Sequence, residues 1–155
     1  MARIARMALR ATLLIAVVAV AACGGASEES NRYITKLTAA QERFQRAATK
    51  LGAEPTTSST PRQDRQTLSR YADAIADTIV ALRAIDVPSE VVAEHRRLIA
   101  AFTTWHRDIQ RFIAAIEQPT SSGLARARRR IAAATVTFNE SARQAGIDID
   151  AKLGT

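Results

Sequence analysis

Val91, His95, Leu98, Phe102, Trp105, Ile109, Phe112 and Ile116 recur at alternating steps of four and three. That spacing averages about 3.5 residues, so all eight share one face of an α-helix; strand side chains alternate with a period of two. Three other segments carry the same period. Ile34, Leu37, Ala40 or Gln41, Phe44, Ala48 and Leu51 mark a first helix over 31–51, and Gly52 follows as its stop. Leu68, Tyr71, Ile75, Ile79, Leu82 and Ile85 mark a second. It opens on Thr60, Pro61 and Gln63, a capping box with proline at the first helical position, and closes before Pro88. The third, the segment above, starts with Ser89 as its cap. Leu124, Ala127 or Arg128, Ile131, Thr135, Phe138, Ala142 and Ala145 mark a fourth, which starts near Thr120 to Ser122 and which Gly146 is expected to end. The small residues of this last stripe invite a close neighbour. No segment alternates as a strand does. Short connections make consecutive helices antiparallel, so the expected fold is all-α, an up-down-up-down four-helix bundle.

The N-terminus has a different character. Arg3, Arg6 and Arg10 precede an apolar run of about 13 residues, and no acid appears before Glu28. As a helix the run would reach about 20 Å, short of the roughly 30 Å of a bilayer core. A basic start, a short apolar run and small residues at its end read as an export signal. The run closes on Val20-Ala21-Ala22-Cys23, which resembles the lipobox of bacterial lipoproteins, with Val20 in place of the commoner Leu. That resemblance implies a diacylglycerol on the Cys23 sulfur and cleavage before Cys23, with the chain held on the outer face of the cytoplasmic membrane. Two acyl chains anchor durably where one does not. The expected organisation is a lipoprotein signal peptide over 1–22, a lipidated tether over 23–31, the bundle over 32–146 and a frayed tail over 147–155. The stretch from Leu82 to Leu98 is also similar to small all-helical lipoproteins of high-GC Gram-positive bacteria, a group without an assigned activity.

Chemistry is sparse. Cys23 is the single cysteine, so no internal disulfide and no cysteine zinc site can form. His95 and His106 stand three turns apart, about 16 Å along the axis, and cannot share a metal. No phosphate loop, nucleophile elbow or serine–histidine–acid spacing appears. The sequence therefore predicts no enzyme, no cofactor and no metal. His95 is expected to be a buried neutral imidazole bonded to a backbone carbonyl, with Glu90 and Glu94 turned away from the seam and His95→Leu tolerated. Trp105 reads first as a core plug. The alternative is a small-ligand or metal-ion carrier, with a pocket between helices near His95 and Trp105 and His106 as a further contact.

Charge is the remaining signal. The formal net charge of +7 falls to +4 once Arg3, Arg6 and Arg10 leave with the signal. The first and fourth helices each carry five basic residues against one acid, whereas the second and third are balanced. As bundle neighbours they would form one basic side, with Arg43 and Arg46 on the first helix and Arg126, Arg128, Arg129 and Arg130 on the fourth. Two readings stand: solvated faces, or attraction to anionic lipid or wall polymer beside the anchor. An envelope protein is a further possible partner, and the chain has no nucleic-acid reading motif. The sequence thus predicts a membrane-anchored envelope module that binds or supports without catalysis.

Overall fold

The computed structural model describes residues 27–53, 60–117 and 121–154. The export signal, Cys23 and the loop at 54–59 lie outside them. Four helices, α1 (Glu28–Ala53), α2 (Pro61–Arg83), α3 (Val92–Glu117) and α4 (Ser121–Leu153), form the all-α bundle, with a 3₁₀ turn, Ser89–Val91, before α3. Consecutive helices run antiparallel. Ion pairs at opposite ends show this: Lys36 with Asp86 and Arg97 with Asp148 near one end, Arg65 with Glu117 near the other. Among the described residues there is no strand.

Local chemistry explains most of the helix ends. The Thr60 hydroxyl accepts from the Gln63 amide at 3.3 Å, and the Gln63 side chain accepts from the Thr60 amide at 2.8 Å, the expected capping box. Several starts and stops differ from expectation, and α1 passes its expected stop at Gly52 to end at Ala53. α1 begins inside the expected tether, because the Ser27 hydroxyl accepts from the Ser30 amide at 3.2 Å, and Glu28 and Glu29 sit against the positive end of the helix dipole. Ser89 does not cap α3. It lies inside the 3₁₀ turn and donates to Glu90 Oε2 at 3.2 Å, while Pro88 holds the cap position and has no side-chain acceptor to offer. The helix is instead entered through a bond from the Val91 amide to the Pro88 carbonyl at 3.1 Å.

The largest departure is at the C-terminus. α4 runs through Gly146 and through the segment expected to fray, ending at Leu153. Gly154, at φ +69°, is the left-handed residue that closes it, and its amide bonds the Asp150 carbonyl at 3.0 Å. A glycine inside a helix costs about 1 kcal/mol. Burial of Ile149, which is 1% exposed, outweighs that cost.

The four stripes meet in one core. Ala72, Ile75, Leu82, Val91 and Phe102 have no exposed surface. At mid-height an aromatic group joins all four helices. Trp105 stacks on Phe138 with centroids 4.1 Å apart and planes 10° apart, and Phe44 and Tyr71 meet Trp105 edge-on. α3 and α4 share the most extensive backbone packing of any helix pair, along the small-residue stripe of α4. α1 and α4, expected side by side, approach less than any consecutive pair does. α1 reaches α3 through rings instead, Phe44 on Phe102 and Tyr33 on His95.

Candidate functional site

Polar side chains gather where α1 starts and α4 ends. His95 is 4% exposed there. Its Nε2 lies 3.0 Å from the Leu82 carbonyl oxygen, which can only accept, so Nε2 carries the hydrogen. Nδ1 is then the acceptor, and the Tyr33 hydroxyl donates to it at 3.1 Å. Burial pushes the imidazole pKa below its ordinary value, partly opposed by the Leu82 carbonyl, so the ring is neutral at neutral pH. Burial also raises the Tyr33 phenol, helped by the negative charges of Glu94 and Asp150. Both ring nitrogens of His95 are thus engaged within the fold.

Glu94 corrects the sequence reading. It is 4% exposed, not turned to solvent. The extended α4 brings Lys152 over it, so Oε1 accepts from Lys152 Nζ at 3.1 Å and from Arg97 Nη2 at 2.8 Å. Bonds from its own amide and from Lys152 hold its carboxyl below the usual range. Arg97 continues to Asp148 at 3.0 Å, and Lys152 to the Glu90 carbonyl at 3.1 Å. Oε2 of Glu94 is buried with no partner. The network ties the last turns of α4 to the first turns of α3. It offers no nucleophile, and among the described residues no group of three His, Cys, Asp or Glu side chains could hold a metal.

Of the residues proposed as ligand contacts, Trp105 is 3% exposed and its indole N–H donates to Thr135 Oγ1 at 3.4 Å. His106 is half-buried, three turns from His95, and the two are not brought together. The described residues line hollows at two places on the bundle relevant here. One runs between α1 and α2 along Ala40, Phe44, Ala74 and Ala81; the other lies beside Arg65, Ser69, Arg70 and Glu117. Neither is lined by His95, Trp105 or His106. Tyr33 and Glu94 were missed in the sequence. Tyr33 had a signal, since 33, 37, 40 and 44 step by four, three and four. Glu94 had none, because its cover arrives from residues 148–152.

Arg43, Arg46, Arg126, Arg128, Arg129 and Arg130 are all exposed. All six lie in one half of the bundle's length. The separation of charge runs along the bundle axis. The half that holds the start of α1 and the end of α4, residues 28–42, 72–103 and 137–154, carries eleven acids and seven bases, a net −4. The opposite half, residues 43–53, 60–71, 104–117 and 121–136, carries twelve bases and three acids, a net +9. Comparison with known proteins finds no matching family, no similar curated protein and no similar solved structure.

Proposed function

We propose that this chain is an exported lipoprotein, anchored through a lipid on Cys23 to the outer face of the cytoplasmic membrane, that acts by surface binding without catalysis. The observation that carries the non-catalytic reading is the state of its few reactive groups. His95, Trp105, Tyr33 and Glu94 are all buried and engaged with other parts of the fold. What remains for a partner is the outer surface, where charge is strongly polarised. The export reading is supported by Arg3, Arg6 and Arg10, the apolar run and the Val20–Cys23 box. No described helix is long and apolar enough to cross a membrane.

The test is Cys23→Ala in the native producing cell type, read by detergent partitioning and intact mass. The wild-type chain is expected in the detergent phase with a mass starting at a diacylglyceryl Cys23. The variant is expected to be released or to keep its N-terminus. A wild-type product that is water-soluble and unmodified refutes the anchor.

A further inference from the structure

We propose that the basic end of the bundle is a docking surface for an anionic phosphodiester polymer of the cell envelope, held away from the membrane that anchors the chain. The direction of the surface rests on the Cys23 anchor proposed above; the surface itself does not.

Three observations meet here. The first is position. Ser27 is four residue steps past Cys23, so the start of α1 lies within about 14 Å of the anchor. That end of the bundle is the acidic one. An acidic end close to an anionic membrane is repelled by it, which turns the bundle outward. Twenty-six residues of α1 then carry the basic end a further 39 Å or so, beyond several Debye lengths at physiological salt. The headgroups of the anchoring membrane are therefore the wrong partner for Arg126 to Arg130.

The second is that much of the charge at the basic end is uncompensated. Arg46, Arg65 and Arg111 have acidic partners there. Arg43, Lys50, Arg126, Arg128, Arg129 and Arg130 make no ion pair among the described residues, and no acid lies among residues 121–136. Steps of about 100° per residue place Arg126, Arg129 and Arg130 within one arc of about 100° facing away from the buried Ile131, with Arg128 on the flank. A ridge of cations at one height of the bundle suits an extended anion better than a single small one.

The third is residue type. Of the twelve bases in this half, eleven are arginine and Lys50 is the exception. The planar guanidinium matches two oxygens of one phosphate at a time, and an ammonium does not.

The experiment uses the chain from Cys23 onward, which contains every core residue described above. Binding to poly(glycerol phosphate) is measured over a series of salt concentrations. The combined variant Arg126→Gln, Arg128→Gln, Arg129→Gln and Arg130→Gln is compared with a control at the acidic end, Arg83→Gln, Arg96→Gln and Arg143→Gln. Removing four phosphate contacts is expected to weaken binding by about 10- to 100-fold at low salt and to reduce the slope of log K against log salt by about 3. The control is expected to bind as the unmodified chain does, and circular dichroism melts establish that each variant is folded. Binding unchanged in the four-arginine variant, or weakened equally in the control, overturns the docking surface. A second arm couples Cys23 through its thiol to lipid in vesicles of phosphatidylcholine alone, or mixed with phosphatidylglycerol. Equal capture of polymer on both vesicles is expected. Capture lost on the anionic vesicles means that headgroups occupy the basic end, which overturns the proposal. Failure of the anchor is read separately: an unlipidated native chain whose bundle still binds the polymer through the four arginines leaves the surface standing.

Discussion

At the scale of single residues, His95 links three helix ends. Its Nε2–H reaches the last turn of α2, Nδ1 receives the hydroxyl of α1, and its own backbone starts α3. The sequence places it on the seam and gives a neutral imidazole bonded to a carbonyl, which is what the fold contains. Tyr33 is in register with the first stripe, but nothing in the sequence pairs it with His95, and that pairing reverses the expected effect of substitution. Leucine fills the volume but leaves the buried Tyr33 phenol unpaired, while the Leu82 carbonyl keeps the Ile85 amide, at 3.2 Å. An orphaned buried polar group costs about 1–3 kcal/mol. His95→Leu is therefore expected to lower stability by about 1–3 kcal/mol in urea unfolding. In the Tyr33→Phe background the loss should be smaller, because the orphan is already gone. Equal losses in the two backgrounds would mean that the pair does not act as a unit. The same residues shape the pH dependence. The folded pKa of His95 lies below its ordinary 6.5, so its contribution is complete above pH 6.5 and is lost as pH falls toward the folded value, where the unfolded chain binds the extra proton. The Glu94 carboxyl, lowered from 4.5, adds a second loss further into acid. Tyr33 and Tyr71 are both raised from 10.0, mainly by burial, so the folded chain holds their protons longer and stability falls as pH rises past 10. Melting temperature is expected to be flat between about pH 6.5 and 10 and to fall on both sides. In His95→Leu the decline that begins as pH falls below 6.5 should disappear, leaving the loss that Glu94 sets further into acid.

Among the elements, α4 separates what sequence can say from what it cannot. Its apolar period and its small-residue stripe follow from residues 131–145 alone. Its end does not, because a glycine is read as a stop only until something past it is worth burying. Ile149, Asp148 and Lys152 supply that, and their partners Arg97, Glu94 and the Glu90 carbonyl are more than fifty residues earlier in the chain. The glycine itself has no packing role: a methyl group built at Gly146 meets nothing within 4 Å. Gly146→Ala is therefore expected to raise stability by about 0.5–1 kcal/mol, through helix propensity and a less flexible unfolded chain. Gly154→Ala, at positive φ, is expected to destabilise. A neutral or harmful Gly146→Ala would show that α4 bends at this point in solution. Ser89 tells a similar story on a smaller scale. A serine after proline reads as a cap, yet the chain winds into a 3₁₀ turn there, and only the packing of Val91 fixes which residue starts the helix.

For the whole molecule, fold class and charge excess are legible in the sequence, but the axis of the charge is not. Assigning charge helix by helix gives a basic side. Placing each residue at its height gives a basic end, because the acids of α1 and α4 cluster toward the end where α1 starts and α4 stops. This distribution has an energetic consequence. Arg126 and Arg130 are one turn apart on α4, and like charges at that spacing cost about 0.2–0.5 kcal/mol. With Arg129 beside them and no acid in reach, the repulsion is left in the folded state, where salt alone relieves it. Added sodium chloride is therefore expected to raise the melting temperature. Arg126→Glu converts a repulsive pair into one with the acid N-terminal to Arg130, the better orientation. It is expected to stabilise by about 0.5–1 kcal/mol at low salt, with the gain fading as salt approaches 1 M, where the screening length is about 3 Å. A variant no more stable than wild type at low salt would mean that the arginines already have anionic company within the fold. The same single substitution should weaken capture of a phosphodiester polymer. Stability gained and binding lost together would identify the repulsion as a cost retained for a partner.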